Sequence, residues 1–178
     1  IVAFRAAELA ELADDAGLRE GVAELSDALA DRWDPDRRTW LDDGPTATGS
    51  GRIRTLEALL PLLVEQRADE IAAVVDELSE TTAFAGAFGP TQVHRDEPTY
   101  RPDSYWRGPS WPQLDYLMWI ALRSAGRVDA ADELARSTIA GATTSQWAEY
   151  WDSDDGRGGG AAPQSWTTLA VCMHPGTP

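Results

Sequence analysis

Apolar residues recur every three or four positions along most of the chain, a spacing typical of amphipathic α-helices. The stretches with this period predict about seven helices, at residues 4–16, 19–32, 53–64, 67–80, 110–125, 128–140 and 164–173. Gly17 is expected to end the first helix, and Pro61 is expected to kink the third. Because most of these helices follow their neighbour after a short connection, the chain is predicted to be all-α and built from helical hairpins.

Three longer segments lack the helical period. Residues 32–51 are expected to form a loop with a short extended piece near 39–41, and no convincing strand is predicted. Residues 81–109 and 141–163 are rich in Gly and Pro, and connections this long are usually functional or disordered. Their aromatic residues argue against disorder. In a helical toroid both connections would lie at one rim, where we expect the functional site.

The composition fits one globular domain. The chain has 178 residues, of which 43% are hydrophobic, enough to bury a core. It carries 30 acidic against 15 basic residues, and the resulting charge of −15 repels phosphate backbones and anionic lipids. Nucleic-acid and membrane partners are therefore not expected. The lack of a signal-peptide pattern favours a cytoplasmic location. The chain begins without Met inside a helical pattern, so we interpret it as a piece of a longer protein.

No metal or cofactor is predicted. Cys172 is the single cysteine and is expected to be a small buried hydrophobe. The Asp-rich loop 152–156 places oxygen ligands at alternate positions but departs from an EF-hand, and "GRGGG" at 156–160 lacks the Lys-Ser/Thr of a phosphate loop. His94 and His174 are 80 residues apart with no partner ligands nearby in sequence, which disfavours zinc.

Aromatic residues are concentrated in the second half of the chain, where six of the eight Trp lie between 106 and 166. A sugar ring stacks its C–H face on an aromatic ring while its hydroxyls need donors and acceptors. One group surrounds a Gly-Pro turn: Tyr105, Trp106, Arg107, Gly108 and Trp111. Arg107 either donates to a ligand carboxylate or hydroxyl, or is an ordinary surface arginine. The alternative for the rings is core packing, for which Trp119 is the strongest candidate.

Glu149 is the strongest catalytic candidate. It is bracketed by Trp147, Tyr150 and Trp151. A carboxylate among aromatic rings is partly desolvated, as is typical of groups that act as general acids or bases. The alternative is a solvated Glu near a helix end.

Three blocks of sequence resemble one enzyme family: "TLEALLPLL" at 55–63, "YWRGPSWPQLDYLMW" at 105–119 and "AEYWDSDDGRGGGAAPQSWTTLAV" at 148–171. They resemble the C-terminal half of family 63 glycoside hydrolases, which include α-glucosidases and bacterial mannosylglycerate and glucosylglycerate hydrolases. The resemblance implies that residues 1–178 form part of an (α/α)6 barrel that hydrolyses an α-glycosidic bond with inversion.

The resemblance also assigns site residues. Glu149 matches the family's general base, and Gln164 matches a polar substrate contact. The residues that match the segment lining the sugar subsite are Tyr105, Trp106, Arg107, Gly108 and Trp111. The substrate class implied is a small carbohydrate or glycoside.

The family's general acid is an upstream Asp, and residues 1–60 contain no block that resembles it. A barrel of six hairpins also needs more helices than this pattern provides. We therefore expect the chain to be the second half of the enzyme, with the acid outside it. The alternative is an inactive or partial carbohydrate-binding module, whose exposed apolar helices would favour self-association. A glucoamylase-like or terpene-cyclase-like barrel is disfavoured, because the only Asp cluster lies in a loop.

Overall fold

The structure, a computed structural model, describes residues 1–42, 52–64 and 67–174. The α-helices are α1 Val2–Ala13, α2 Ala16–Ala30, α3 Ala68–Ser79, α4 Pro112–Ser124 and α5 Val128–Thr144, and the 3₁₀ helices are Glu57–Leu63 and Ser165–Cys172. Two short antiparallel ladders pair β1 Trp33–Asp34 with β2 Thr39–Trp40, and β3 Tyr150–Trp151 with β4 Gly158–Gly159. The prediction of an all-α fold is confirmed. None of the helices in the described ranges is long and apolar enough to cross a membrane.

The turn between α1 and α2 lies earlier than predicted. Asp14 follows α1 in the left-handed conformation, with φ at +50°. The Asp15 side chain then accepts hydrogen bonds from the N–H groups of Gly17 and Leu18, at 2.9 and 3.1 Å. A capping Asp satisfies backbone donors that have no partner at the start of a helix. The prediction that Gly17 ends α1 is therefore wrong, because this glycine lies in the first turn of α2.

The predicted helices at 53–64 and 164–173 are 3₁₀ helices. Pro61 has no N–H with which to close an α-helical hydrogen bond to Glu57. In Ser165–Cys172, the hydroxyls of Thr167 and Thr168 donate to the carbonyls of Ala148 and Ser165, at 2.7 Å each. The bond from Thr168 competes with regular helical pairing, and the bond from Thr167 ties the helix to Ala148.

Cys172 lies on the protein surface and not in the core. Its side chain is exposed, so the prediction of a buried hydrophobe is wrong. The buried face of the 3₁₀ helix is formed instead by Thr167 and Ala170.

The expectation that no strand interrupts the helices is also wrong in detail. The extended piece expected near 39–41 is β2, which forms a hairpin with β1 across a turn containing Arg38 at φ +53°. The connection predicted at 141–163 begins later, because α5 continues to Thr144, and it contains β3 and β4. Residues 43–51 of the predicted loop 32–51 lie outside the described residues.

The main core forms around α4, which packs against α5 and both 3₁₀ helices. Its largest fully buried apolar side chains include Leu56, Leu59, Leu62, Phe84, Trp111, Met118 and Leu122. Trp119, the strongest core candidate in the sequence, is partly buried and packs against both hydrophobic clusters. By contrast, α2 has no buried residue, and Leu9, Leu12 and Leu25 of the α1–α2 hairpin are exposed.

Short extended segments lie side by side, and three of them lead into the 3₁₀ helix Glu57–Leu63, α4 and the 3₁₀ helix Ser165–Cys172. Leu56 N–H donates to the Gln92 carbonyl at 2.9 Å, and Gln92 N–H donates to the Gly108 carbonyl at 3.3 Å. Ser110 and Trp151 exchange two main-chain hydrogen bonds, at 2.8 and 3.2 Å. The segments are 54–56, 92–94, 108–110, 149–152 and 157–161, and we call them the rim. The two connections expected to carry the site both contribute to it.

Candidate active site

Glu149 lies in the rim immediately before β3, and both of its carboxylate oxygens accept hydrogen bonds. The Tyr105 hydroxyl donates to Oε1, and the Ala161 N–H donates to Oε2 at 3.1 Å. The Glu149 N–H donates to the Ala161 carbonyl at 2.8 Å, and its own carbonyl accepts from Trp166 Nε1 at 3.1 Å. These contacts hold a half-buried carboxylate in one orientation.

The hydrogen bond from Tyr105 depends on a protonated phenol. Accepting this bond by Glu149 raises the pKa of Tyr105 above its usual value, with further contributions from desolvation and from the negative charge. Tyr105 therefore remains a donor to Glu149 at neutral pH.

The backbone near Glu149 explains the Gly-rich loop. Gln146 and Trp147 both adopt positive φ, at 58° and 63°, and turn the chain after α5. Gly160 has φ +73°, and a Cβ at this position would lie 2.3 Å from Glu149 Oε2. A Cβ at Gly159 would lie 2.2 Å from the Tyr150 ring. The glycines therefore allow the loop to pass directly against Glu149 and Tyr150.

Aromatic rings form a stacked platform beside Glu149. Trp106 lies flat on Trp111, with ring centroids 3.9 Å apart and planes 9° apart. Tyr105 and Tyr150 contact the same Trp111 ring, at centroid distances of 4.8 and 4.9 Å. Trp111 is 0% exposed, whereas Trp106 is 47% and Tyr105 is 44% exposed. Of the rings predicted to line a subsite, Trp106 and Tyr105 face solvent, and Trp111 lies beneath them as support.

The other residues of the predicted segment have different surroundings. Gly108 is buried, and a Cβ there would lie 2.2 Å from the Arg101 carbonyl, so its backbone packs where no side chain fits. Arg107 is exposed, and within the described part of the chain its guanidinium has no hydrogen-bond or ion-pair partner. Arg107 is thus available to an anion or a hydroxyl.

Gln164 lies at the far end of the Gly-rich loop. Its N–H donates to the Trp147 carbonyl at 2.8 Å, which brings it next to the Glu149 segment. Its side-chain Oε1 accepts from the Ser165 N–H at 2.8 Å and caps the 3₁₀ helix Ser165–Cys172. A hydrogen bond from Gln164 to a ligand would therefore come from Nε2.

Sequence reasoning missed two aromatic residues of this site. Tyr150 stacks on Trp111, and Trp166 is 37% exposed with its ring 6.2 Å from the same tryptophan. Both occur in the block 148–171 that carried the resemblance, and Trp166 lies two residues after Gln164. Position in that block was the available signal.

A buried carboxyl lies beneath the rim. Asp115 is 0% exposed, and its Oδ2 accepts from Ser110 Oγ at 2.8 Å and from Thr138 Oγ1 at 3.0 Å. Its Oδ1 has no partner among the described residues. Burial raises the pKa of Asp115 to about 7, and the two hydroxyl hydrogen bonds oppose that rise. Because Ser110 pairs with Trp151, Asp115 supports the junction that carries Glu149.

Ion pairs join the two connections that form the rim. Arg95 donates to both carboxylate oxygens of Asp154, at 2.8 and 2.6 Å, and its side chain is 17% exposed; we call this the inner ion pair. Arg157 and Asp103 form the outer ion pair at 2.7 Å, with side chains 65% and 79% exposed.

The Asp-rich loop has structural contacts. Asp152 Oδ1 accepts from the N–H groups of Asp154 and Asp155, at 2.8 and 3.1 Å. In the described ranges, no three His, Cys, Asp or Glu side chains are grouped so as to hold a metal ion.

Comparison with known proteins identifies relatives over most of the chain. The model of the mannosylglycerate hydrolase MGH1-like glycoside hydrolase domain matches residues 3–167. A glucosylglycerate hydrolase of Mycolicibacterium hassiacum is 37% identical over 79 residues, which are 44% of this chain and 17% of the relative. A mannosylglycerate hydrolase of Rubrobacter radiotolerans is 28% identical over 176 residues, 92% of this chain and 39% of the relative.

A solved structure shares the fold. The GH63 mannosylglycerate hydrolase from Thermus thermophilus, in complex with glucose, superposes with a TM-score of 0.79 at 22% identity. The match covers 93% of this chain and 42% of that enzyme, so the helical hairpins described above form part of an (α/α)6 toroid. The chain spans less than half the length of these relatives.

Proposed function

Because this chain belongs to the mannosylglycerate hydrolase MGH1-like glycoside hydrolase family, we propose that it is the C-terminal, base-bearing part of an inverting α-glycosidase. In that mechanism one carboxylic acid protonates the leaving oxygen while a carboxylate activates water, the two lying about 6.5–9.5 Å apart. Glu149 is the proposed base, and the acid comes from outside residues 1–178. The observation that carries the proposal is an oriented Glu149 carboxylate beside an exposed aromatic platform.

The contacts of Glu149 suit proton removal from water. Each carboxylate oxygen has two lone-pair sites, so an oxygen that accepts from the protein still accepts from a water molecule. Tyr105 and Ala161 fix the direction of the remaining lone pairs. Water held there attacks the anomeric carbon from the face opposite the leaving group, as the carboxylate takes its proton.

The platform suits a sugar with an anionic aglycone. Trp106 offers an exposed ring face for stacking, and Gln164 Nε2 is a donor for a hydroxyl. The relatives hydrolyse mannosylglycerate and glucosylglycerate according to their names, and glycerate carries a carboxylate. In a chain with net charge −15, such an anion needs a local cation, and Arg107 is the proposed partner. We propose glucosylglycerate or mannosylglycerate as substrate and the cytoplasm as location.

The test is the removal of the Glu149 carboxylate in the natural full-length protein. Glu149→Gln is expected to lower kcat by about 10²–10⁴-fold, the usual contribution of a general base, while substrate binding remains. NMR of the first product should show the β-anomer from an α-glycoside. Wild-type turnover in the variant, or an α-anomer as first product, would refute the assignment.

A second candidate is a carbohydrate-binding module without turnover. The exposed leucines of the α1–α2 hairpin favour it, because they would support self-association. Turnover of an α-glucoside by the isolated chain would exclude this candidate. A light-scattering mass of one 19.3 kDa particle would count against self-association.

A further inference from the structure

Glu57 is a carboxylate at the rim that the proposed reaction leaves unused. It begins the 3₁₀ helix Glu57–Leu63, and its Oε2 accepts a hydrogen bond from Gln92 Nε2. Its side chain is exposed, yet burial by the surrounding protein raises its pKa, against the opposing hydrogen bonds from its own backbone, Thr55 and Gln92. Glu57 is thus an exposed carboxylate that a neighbouring side chain holds in place at the edge of the rim.

Main-chain hydrogen bonds connect the segment before Glu57 to the segment that carries Glu149. The Leu56–Gln92 and Gln92–Gly108 bonds are two successive links, and the Ser110–Trp151 pair is a third. Neighbouring extended segments are about 4.8 Å apart, so three links amount to about 14 Å between backbones. The segment 108–110, which lies between these two segments, directly follows the turn that bears Trp106. A glycoside of two units that stacks on Trp106 spans this order of distance.

Gln92 gives independent support for a positioned Glu57. It is 3% exposed, and its Oε1 is buried with no hydrogen-bond partner in the described part of the chain. Turning the amide would place Oε1 against the Glu57 carboxylate and leave Nε2 without an acceptor, so the hydrogen bond to Glu57 fixes the orientation of the amide. The orientation observed directs Nε2 to Glu57. Gln92 therefore holds an exposed carboxylate in place.

We propose that Glu57 is a further substrate-binding residue, which accepts a hydrogen bond from a hydroxyl of the bound glycoside, and that Gln92 positions it. The inference rests on the proposed function. A carboxylate repels the carboxylate of a glycerate aglycone and attracts hydroxyl donors, so the group that Glu57 contacts is a sugar hydroxyl. Glu57 thereby contributes to the choice of sugar.

The experiment measures binding and turnover in the natural full-length protein. Glucosylglycerate and mannosylglycerate are titrated by calorimetry into Glu149→Gln, with and without Glu57→Ala, and KM and kcat are measured for Glu57→Ala alone. Loss of a hydrogen bond to a charged group is expected to weaken binding and raise KM about tenfold to hundredfold, with kcat changed less than about threefold. Glu57→Gln keeps a hydrogen-bond acceptor, so its KM should lie between those of the wild type and Glu57→Ala. The matched control is Glu24→Gln, which removes an exposed charge from α2.

The contacted hydroxyl is identified with deoxy-sugar analogues. Removing that hydroxyl should weaken binding to the protein with Glu57 as much as Glu57→Ala does, and should have no further effect in the Ala variant. A KM within twofold of the Glu24→Gln control for both Glu57 variants would overturn the inference. Failure of the proposed function is seen separately, as turnover by Glu149→Gln. A lowered thermal midpoint would show that Glu57→Ala fails to fold. In that case the binding of the deoxy-sugar analogues to Glu57→Gln tests the inference.

Discussion

Replacing the buried carboxyl beneath the rim should change how stability depends on pH. Asp115→Asn keeps the size of the side chain and one oxygen that accepts from Ser110 and Thr138, but it removes the ionisable group. In the folded protein the pKa of Asp115 is raised from 3.8 to about 7, mainly by burial. In the unfolded chain it ionises near its ordinary value.

The sign follows from proton binding. Between pH 4 and 7 the folded state holds a proton that the unfolded state has released, so rising pH favours unfolding. Each pKa unit corresponds to about 1.4 kcal/mol, and a difference of about three units gives a total of about 4 kcal/mol, reached near pH 7 and constant above it. Roughly 3 kcal/mol of that effect falls between pH 5 and pH 8. The Asn variant lacks it.

The assay is urea unfolding of both proteins at pH 5, 6, 7 and 8. The free energy of unfolding of Asp115→Asn minus that of the wild type should increase by about 3 kcal/mol from pH 5 to pH 8. Desolvation would raise the pKa values of Glu77 and Glu97, but hydrogen bonds and charge from His94 and from Arg54, respectively, lower them overall. The stability that these two carboxylates contribute is lost as pH falls. They act equally in both proteins and cancel in the difference.

The control is Asp76→Asn, which changes an exposed carboxylate on α3. It shows how much of the change in stability comes from removing a surface charge alone. A difference for Asp115→Asn that does not change from pH 5 to pH 8 would refute the view that Asp115 is neutral in the folded protein.

Two further predictions concern the loops of the rim. Gly160→Ala should destabilise the protein by about 1–2 kcal/mol and reduce kcat, because φ is +73° and the new Cβ would lie 2.3 Å from the Glu149 carboxylate. Gly21→Ala, where no atom lies within 4 Å of the added Cβ, should instead stabilise it by about 0.5–1 kcal/mol; wild-type activity in Gly160→Ala would contradict the reading. For the inner ion pair, a double-mutant cycle with Arg95→Met and Asp154→Asn in urea should give a coupling of about 1–2 kcal/mol, against less than about 0.5 kcal/mol for the exposed outer ion pair. Equal couplings would show that the inner pair does not tie the two connections together.

Helical periodicity located the helices because it reports which residues face the core. It did not report backbone hydrogen bonding within each turn. Pro61 could be seen in the sequence, but its effect depended on Leu56 already being bound to Gln92, which left only a short 3₁₀ segment. Glycine at position 17 predicts a helix end, but the Asp15 side chain two residues earlier is the stronger signal, because it caps the start of the next helix.

The candidate site shows a similar division. Residue types and spacing predict Tyr105 and Glu149 as site residues. The structure joins them by a hydrogen bond although they are 44 positions apart. The same reasoning could not tell Trp106 from Trp111. Both are tryptophans beside one Gly-Pro turn, and only the packing of α4 buries the second and leaves the first exposed.

The arrangement of the rim explains why a carboxylate in the first sequence block bears on a site assigned to the other two. Thr55 pairs with Val93, and Ser110 pairs with Trp151, so all three blocks meet through main-chain hydrogen bonds that leave no periodic trace in the sequence. Because these bonds join backbones, they fix the order of the segments regardless of their side chains. The exposed side chains of the rim are then not needed to hold the segments together and are available to bind a ligand. In the proposed binding mode Glu57 and Glu149, which are 92 residues apart in sequence, contact the same ligand, and the aromatic platform sets the span that this ligand bridges.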